Sequence, residues 1–255
     1  MLAAERHTRI VQILRHEQVV TSDALARELA VSGETIRRDL LTLERRGALT
    51  RVHGGATGRS RTTTMREPAF EQRKKLGNAE KERIGRAAAA LVRPGQTIMI
   101  DVGTTALMAA RALPMDLKAT IVTSSLVVVS ELADRSDLDV LSCGGHVRAG
   151  DLALSNATAV GFFEKVYPDI ALLGSGGLHP TAGLTDYYLE EAAVRKAVIR
   201  NARQSFALVD STKFGHIATH EVADLSALVG VVVDSEPKGE LRRALSSQGT
   251  SIVAA

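Results

Sequence analysis

The stretch S-G-E-T-I-R-R-D-L, Ser32 to Leu40, places two adjacent arginines in the first half of a predicted helix. Ile36, Leu40 and Leu43 follow one another at intervals of four and three, which is the spacing of one buried helix face. Ser32 lies at the N-cap position, where its hydroxyl can accept a hydrogen bond from the first turn. The arginines therefore belong to an outer face that either is merely solvated or binds a polyanion.

Two further helical patterns precede this helix, and an alternating segment follows it. The first pattern contains Ile10, Ile13 and Leu14, and the second has Leu25 and Leu29 one turn apart. The segment A-L-T-R-V-H-G-G-A alternates and then turns at a pair of glycines, which predicts a hairpin. Three short helices, the third of them basic, and a glycine-tipped hairpin predict a winged helix-turn-helix. In that motif the basic helix enters the major groove of DNA.

The candidate DNA-binding residues lie on the basic helix and on the proposed wing. Arginine bridges guanine O6 and N7 or holds a phosphate, so Arg37 and Arg38 are the main candidates. Asp39 is expected to pair with a neighbouring arginine instead of reading a base. The full set is Ser32, Glu34, Thr35, Arg37, Arg38, Arg51, His53 and Gly54. The alternative is that the two arginines only solvate a surface helix.

The charge of the chain is unevenly divided. Residues 1–75 carry 15 Lys and Arg against 9 Asp and Glu, a formal charge of +6. Residues 76–255 carry 17 against 20, a formal charge of −3. This division fits a polyanionic partner for the first part alone. Aromatic residues make up 3% of the chain and Trp is absent, which argues against an extended base-stacking surface for single strands.

Cysteine content and apolar segments indicate the compartment. Cys143 is the single cysteine, so an internal disulfide is excluded and a reducing environment is expected. The N-terminus lacks the apolar core of a signal peptide, and no uncharged apolar run is long enough to span a bilayer. The sequence therefore predicts a cytoplasmic protein without a membrane segment. Neither a metal nor another cofactor is expected, because no metal-ligand spacing relates His146, His179, His216 and His220.

From residue 96 onward, short apolar runs alternate with helical patterns. The seven predicted strands are residues 97–101, 119–123, 138–142, 169–174, 205–210, 227–234 and 250–253. Uniformly apolar strands between helices predict an open, mostly parallel α/β sheet covered on both faces. The predicted domains are a winged helix-turn-helix over residues 1–57 and an α/β domain over residues 77–255. A polar and basic linker over residues 58–76 is expected to join them.

Three small polar loops follow three of the predicted strands. They are Asp101-Val-Gly-Thr-Thr105, Thr123-Ser-Ser125 and Gly174-Ser-Gly-Gly177. Glycines let the backbone approach a ligand, and hydroxyls and helix N-terminal N–H groups suit a phosphate. One such loop is commonly a simple turn. Three of them, at the strand ends where open parallel sheets bind ligands, predict a site for a phosphorylated small molecule.

Charged residues near these loops complete the candidate effector site. Lys213 follows another strand and would neutralise a phosphate, although a surface position is also compatible with its sequence context. Asp101, Asp186 and Glu190 would accept hydrogen bonds from sugar hydroxyls, or would cap turns or pair with Arg195 or Lys196. The full set is Asp101, Gly103, Thr104, Thr105, Thr123, Ser124, Ser125, Gly174, Ser175, Gly176, Gly177, Asp186, Glu190 and Lys213.

The N-terminal part resembles the signature of DeoR-type bacterial transcription regulators through V-S-G-E-T-I-R-R-D-L-L-T-L-E-R-R-G-A-L-T-R-V-H-G-G-A. The resemblance continues in the expected order through D-V-G-T-T, T-S-S-L, C-G-G, L-G-S-G-G-L, G-L-T-D and D-S-T-K-F-G. It implies that the second domain is an effector-binding domain related to sugar-phosphate isomerases, with Lys213 as its lysine. Ser124 and Asn156 depart from the family pattern, in which asparagine and glycine are usual.

These features together predict a repressor of a carbohydrate or polyol utilisation operon. Operator DNA and a phosphorylated sugar or polyol are the expected partners, and the active form is expected to be a homodimer or homotetramer. The main alternative is a retained isomerase or deaminase activity, which would need a positioned general base and a second acid. The loop from Gly174 to Gly177 supplies neither. A second alternative is an architectural DNA binder, whose DNA affinity would not respond to metabolites.

Overall fold

The computed structural model describes residues 3–17, 19–45, 49–52, 55–58 and 67–255. The chain divides into two units, Met1–Thr62 and Thr63–Ala255, which are described separately below. Among the helices of the described ranges, none is both long and apolar enough to cross a membrane.

The first unit is a winged helix-turn-helix, as predicted. Its elements are α1 (Ala3–Glu17), β1 (Val19–Thr21), α2 (Ser22–Glu28), α3 (Gly33–Arg45), β2 (Leu49–Val52) and β3 (Gly55–Gly58). Within the described ranges of this unit, the strands pair antiparallel in the order β1-β3-β2. The predicted hairpin is formed by β2 and β3, and β1 extends it on the other side of β3.

The three helices pack their apolar faces into one core. The predicted face of α3 is buried, with Ile36, Leu40 and Leu43 each at most 4% exposed. Residues from all three helices and from the small sheet contribute to this core: Ile10, Ile13, Leu14, Val20, Leu25, Leu29, Ile36, Leu40, Leu43, Leu49 and Ala56. Burial of these aliphatic side chains is the main source of the unit's stability.

A buried ion pair ties α3 to α1. Asp39 accepts a hydrogen bond from Nε of Arg6 at 2.5 Å, and Nε2 of His7 lies 2.9 Å from the same carboxylate. Burial acts to raise the pKa of Asp39, but the hydrogen bonds from Arg6 and His7 outweigh it and leave that pKa below its usual value. Asp39 therefore pairs with an arginine, as expected, but the partner is 33 positions away in the sequence.

The second unit consists of a parallel sheet flanked by helices, with two smaller antiparallel sheets. Its helices are α4 (Phe70–Lys75), α5 (Asn78–Ala89), α6 (Thr104–Arg111), α7 (Leu126–Leu132), α8 (Ala157–Phe163), α9 (Leu189–Asn201) and α10 (Gly239–Ser247). The strands of the parallel sheet are β4 (Thr97–Ile100), β5 (Ala119–Thr123), β6 (Leu138–Ser142), β9 (Ile170–Leu173), β12 (Ser205–Val209), β14 (Gly230–Val233) and β15 (Ser251–Ala254). The remaining strands are β7 (His146–Val147), β8 (Leu154–Ser155), β10 (Gly177–His179), β11 (Gly183–Asp186) and β13 (His220–Ala223).

The strand order places a switch of direction at the centre of the parallel sheet. Within residues 67–255, seven strands are arranged as β15-β14-β12-β9-β4-β5-β6, and every neighbouring pair is parallel. All seven predicted strands are present. The chain runs from β4 outward through β5 and β6, and then returns to β9 on the other side of β4. Ligands of open α/β sheets bind at such a switch point, beyond the carboxyl ends of the strands.

Successive residues of the central strands face opposite layers, so the sheet has an apolar core on each side. Ile98 and Ile100 of β4 pack with residues of α5, α6 and α7, whereas Met99 packs with residues of α8, α9 and α10. These three side chains are fully buried. Burial on both faces explains why the strands read as continuous apolar runs and not as alternating ones.

The C-terminal end of the predicted linker needs correction. Phe70–Lys75 forms α4 and belongs to the second unit, with Phe70 only 7% exposed. Lys81 of α5 donates hydrogen bonds to the carbonyl oxygens of Arg73 and Leu76 at 2.6 and 2.7 Å, which satisfies the last turn of the helix. The sequence did not predict α4 because the helix is short and Phe70 is its one buried apolar side chain, so its apolar residues show no helical periodicity. Residues 59–66 of the predicted linker lie outside the described residues.

Asn156 occupies a backbone conformation that favours glycine. Its φ is 87°, and its side-chain oxygen accepts a hydrogen bond from the Thr158 N–H at 2.8 Å, which caps α8. Its ψ of −175° lies outside the left-handed region that asparagine tolerates, in a region adopted almost only by glycine. The cap hydrogen bond therefore holds a strained backbone at this departure from the family pattern.

Helices α5 and α6 approach closely because Gly85 has no side chain. A Cβ atom on Gly85 would lie 2.5 Å from the carbonyl carbon of Met108. We expect Gly85→Ala to lower the free energy of unfolding of the second unit by about 1–3 kcal/mol, as overpacking does in rigid cores. Gly161→Ala in α8 is the matched control, because a Cβ there would meet nothing within 4 Å. Urea unfolding of both variants tests this, and equal stability of the two would contradict the packing argument.

Candidate functional site

The loop after β4 brings a helix N-terminus to the switch point. Gly103 has a φ of 111°, a conformation that side-chain-bearing residues rarely adopt, and α6 begins directly after it. Thr104 and Thr105, the first residues of that helix, are buried. The N–H groups of a first helical turn carry partial positive charge and suit an anion.

The loop after β9 packs directly against the β4 loop. The N–H of Gly174 donates a hydrogen bond to Asp101 Oδ2 at 2.8 Å. A Cβ atom on Gly174 would lie 2.8 Å from the carbonyl oxygen of Val102, so glycine permits the contact. Because β4 and β9 are neighbours in the sheet, these two loops form one wall of the cleft.

Lys213 brings a cation to the same place from the end of β12. It ends a 3-10 turn over Ser211–Lys213, and its ammonium donates a hydrogen bond to the carbonyl oxygen of Ser175. Its nearest carboxylate oxygen, on Asp210, is 4.0 Å away. Burial lowers the pKa of Lys213, and Asp210 acts in the opposite direction. A lysine in this position gains from an anionic ligand, because a ligand anion compensates for its lost hydration.

Arg195 of α9 binds three carboxylates at the base of the cleft. Its guanidinium donates to Asp101, to Asp186 and, at 3.0 Å, to Glu191. The side chain is only 3% exposed. Burial acts to lower the pKa of Arg195, but the surrounding carboxylates outweigh it and the pKa is raised. Asp186 also accepts a hydrogen bond from the Tyr188 N–H at 3.1 Å, which orders the turn before α9.

A second arginine links α9 to the loop between β7 and β8. Arg148 donates to the carboxylates of Asp151 and Glu191, and its guanidinium lies 3.6 Å from the centre of the Tyr188 ring. Burial raises the pKa of Glu191, as does the charge of the nearby Asp186. The loop is therefore held over the cleft by one stacked cation and two carboxylates.

The chain segment at α4 closes the remaining side of the cleft. Arg73 binds Glu67 Oε1 through Nη1 at 2.8 Å, and its Nη2 lies 3.6 Å from Asp151. Its Nε donates to the carbonyl oxygen of Pro68 at 3.0 Å. The side chain is 14% exposed. Arg73 thus presents a second cation to the cleft, in addition to Lys213.

These elements line a narrow polar cleft with an enclosed volume of about 20 Å³, enough for about one water molecule, and with further space open to solvent. Loop residues, carboxylates and cations line it: Glu67, Arg73, Val102, Gly103, Thr104, Thr105, Asp151, Gly174, Ser175, Asp186, Glu191, Arg195 and Lys213. It lies at the carboxyl ends of β4, β9 and β12, next to the switch point. A cleft with buried cations, hydroxyls and helix N–H groups can bind a small anion that also carries hydroxyl groups.

The structure brings about half of the predicted effector residues to this cleft. Those that line it are Gly103, Thr104, Thr105, Gly174, Ser175, Asp186 and Lys213. Asp101 lies immediately behind them, bound to Gly174 and Arg195. For Asp101 and Asp186, the structure thus shows the pairing with Arg195, which the sequence left open as an alternative.

The other predicted effector residues do not line the cleft. The hydroxyl of Ser125 caps α7 by accepting from the Val128 N–H at 3.3 Å, and Thr123 Oγ1 accepts from the Ser125 N–H at 3.0 Å. Ser124 is likewise buried at 2% exposure. The loop Thr123–Ser125 lies one strand further from the switch point than the loop after β4, and its role in effector binding stays a prediction.

Gly176, Gly177 and Glu190 also do not line the cleft, and the packing around them explains why. A Cβ atom on Gly176 would lie 2.9 Å from the Asp186 Cα, and one on Gly177 would lie 2.3 Å from the His216 carbonyl oxygen. These two glycines therefore serve the close packing of β10 against its neighbours. Glu190 is exposed, and the next residue, Glu191, faces the cleft instead.

Sequence reasoning missed four charged residues of the cleft, Glu67, Arg73, Asp151 and Glu191, and named Arg195 only as a possible ion-pair partner. Glu191 and Arg195 are four positions apart on α9, a spacing that indicates an ion pair but not its burial. Nothing in the local sequence around Glu67, Arg73 or Asp151 indicates that these residues meet. Their proximity depends on tertiary contacts alone.

In the first unit, α3 presents the predicted polar face to solvent. Ser32 Oγ accepts from the Thr35 N–H at 3.2 Å, which caps the helix as expected. Arg37 and Arg38 are exposed by 70% and 80%, and both lie within 4 Å of the Glu34 carboxylate. The backbone of Arg51 lies in β2, whereas His53 and Gly54 fall outside the described residues.

Comparison with known proteins identifies relatives along the whole chain. A model of the DeoR-like helix-turn-helix domain matches residues 6–62, and a model of the DeoR C terminal sensor domain matches residues 77–235. The glycerol-3-phosphate regulon repressor of Escherichia coli K12 is 30% identical over 246 residues, which are 96% of each chain. The regulator GlpR of Haloferax volcanii is 31% identical over 253 residues, covering 99% of this chain and 98% of the relative. Among solved structures, ribose 5-phosphate isomerase A of Methanocaldococcus jannaschii is 18% identical with a TM-score of 0.41, covering 54% of this chain and 55% of that chain.

Proposed function

Because this chain belongs to the DeoR family of DNA-binding transcription regulators, we propose that a phosphorylated sugar or polyol releases it from operator DNA. In this proposal the protein represses a carbohydrate or polyol utilisation operon in the cytoplasm. It acts as a homodimer or homotetramer, because a single recognition helix contacts too few bases for genomic specificity.

One observation supports the proposed class of ligand. The cleft combines the N-terminus of α6 with the side chains of Lys213 and Arg73, and all three favour an anion. Hydroxyl and carboxylate groups beside them suit the hydroxyl groups of a sugar or polyol. The name of the relative from Escherichia coli, a glycerol-3-phosphate regulon repressor, supports the same ligand class. Effector binding must favour the state that does not bind DNA, and linkage then requires DNA to weaken effector binding by the same factor.

Catalysis by the second unit is less well supported than sensing. An isomerase or deaminase would need a base and an acid that are free to exchange protons with the substrate. Asp101, Asp186 and Glu191 are each bound to Arg195, and the loop Gly174–Gly177 has no titratable side chain. We therefore propose a binding site without turnover.

The test is a thermal-shift screen with phosphorylated sugars and polyols, each measured beside its unphosphorylated parent. A ligand that binds only the folded protein raises its melting temperature by mass action, so the screen requires no operator sequence. We expect a shift with a phosphorylated compound and none with its parent. A hit that is converted to an isomer during incubation would favour the enzyme, and no shift across a broad panel would contradict the phosphate sensor.

Removal of one arginine from α3 tests the DNA-binding face. We expect Arg38→Ala to weaken binding to an operator selected from random duplexes by about 1–3 kcal/mol, the usual effect of losing a base contact. Arg9→Ala on α1 is the control, since it removes the same charge from another exposed position. Fluorescence anisotropy with labelled duplex measures both affinities. Equal affinity of Arg38→Ala and the wild type would remove Arg38 from the interface.

A further inference from the structure

Glu67 places a carboxylate in the cleft where a phosphate is proposed to bind. It is the first described residue of the second unit, and its side chain is only 10% exposed. It lines the same cleft as Lys213 and binds Arg73 at 2.8 Å. One of the two cations offered to a ligand anion is therefore already bound to an anion of the protein itself.

The electrostatic environment of Glu67 is that of the ligand site. Burial raises the pKa of Glu67, Arg73 acts to lower it, Asp186 raises it further, and Lys213 again lowers it. These influences come from residues on three separate parts of the fold that meet at the cleft. A phosphate near Arg73 and Lys213 would carry about −1.5 to −2 charges at neutral pH and would repel the Glu67 carboxylate.

The contacts of α4 show which part of the chain such an exchange would move. Phe70 is buried, and Lys81 holds the carbonyl oxygens of Arg73 and Leu76. The helix thus has anchors that do not depend on Glu67. The side chain of Glu67 is joined to the cleft through its bond to Arg73. In the sequence, the residues before Glu67 follow the wing of the first unit.

We propose that Glu67 is an internal anion that occupies Arg73 in the ligand-free protein and is displaced when the effector's phosphate binds. This inference rests on the proposed function of the cleft. The phosphate replaces Glu67 at Arg73, α4 stays in place, and the Glu67 side chain leaves the cleft. Effector binding is thereby transmitted to the DNA-binding unit, because the phosphate replaces Glu67 as the anion bound to the Arg73 guanidinium.

The test is a comparison of Glu67→Gln with Glu71→Gln. The first substitution removes the charge of the internal anion and keeps its shape. The second removes the same charge from an exposed position of α4, where Glu71 is 72% exposed. Inorganic phosphate and glycerol 3-phosphate serve as probes in isothermal titration calorimetry. We expect Glu67→Gln to bind the probes about tenfold more tightly than the wild type, a factor typical of coupled sites, and Glu71→Gln to bind them unchanged.

The outcomes separate this inference from the proposed function. If the wild type binds a probe and Glu67→Gln binds it equally or more weakly, the inference is overturned while the phosphate site stands. If neither protein binds either probe, the inference is overturned, while the proposed function is decided by the broader thermal-shift screen. Thermal unfolding verifies that each variant is folded. Glu67→Ala, which is expected to tighten probe binding in the same direction, replaces Glu67→Gln if that variant does not fold.

The response of DNA binding gives an independent readout. Glu67→Gln should bind a selected operator more weakly than the wild type without any effector, and adding glycerol 3-phosphate should change its affinity by a smaller factor. A merely structural ion pair would leave that factor as it is in the wild type. An undiminished response to the probe would overturn the transmission of the signal through Glu67.

Discussion

Arg195→Ala is expected to destabilise the second unit more than any other single substitution in the cleft. It leaves Asp101, Asp186 and Glu191 without their shared cation in a region where the arginine itself is 3% exposed. Breaking a buried ion pair by removing one partner costs about 3–5 kcal/mol, because an uncompensated charge remains buried. Urea unfolding monitored by circular dichroism measures this loss.

The pH dependence of the same variant has a definite sign. Without Arg195, burial and mutual repulsion raise the pKa values of the three carboxyl groups in the folded state. A group with a raised folded-state pKa disfavours folding as the pH rises above its unfolded value. The stability deficit of Arg195→Ala should therefore shrink when the pH falls from about 8 to about 5.

Two further variants make the Arg195 prediction specific. Arg200→Ala removes an exposed arginine from the same helix and should change stability by less than about 0.5 kcal/mol. Arg195→Lys keeps the charge but loses the planar fork of donors, so we expect it to be intermediate. A loss as small as that of Arg200→Ala would mean that the three carboxylates are solvated or protonated in the wild type.

Lys213→Ala is expected to abolish the effector response and to leave operator binding intact. The ammonium reaches the cleft from the end of β12, beside the loop at Ser175. A hydrogen bond to a charged group contributes about 1.5–3 kcal/mol, so affinity for the phosphorylated hit of the screen should fall roughly 10- to 150-fold. Calorimetry measures that loss, and anisotropy with operator DNA measures the retained DNA affinity.

Stability distinguishes a ligand-binding lysine from a structural one. Burial lowers the pKa of Lys213, so its charged form is held at some cost in the folded state and its removal should leave the melting temperature near that of the wild type. Lys196→Ala, which alters a lysine 49% exposed on α9, is the control for ligand affinity. Normal ligand affinity in Lys213→Ala would refute its phosphate role, whatever the effect on stability.

The sequence by itself determined the elements of the fold and the general place of the site. The apolar spacing of Ile36, Leu40 and Leu43 specifies the buried face of α3, and therefore also which side carries Arg37 and Arg38. Apolar runs between helical patterns specified all seven strands of the parallel sheet, because a strand that is buried on both faces has apolar side chains at consecutive positions. The polar loops after β4 and β9 marked the strand ends at which the cleft lies.

Only the tertiary structure decided which charged residues form the cleft. The ion pair between Asp101 and Arg195 joins positions 94 apart, and the contact between Arg73 and Asp151 likewise joins distant segments. One position along α9 separates the exposed Glu190 from the buried Glu191, a difference that depends on how the helix is rotated against the sheet. Local periodicity predicts which residues are buried, whereas the partner of a buried charge depends on strand order and crossover. For that reason Glu67 and Arg73, which sequence patterns assigned to a linker, became part of the site.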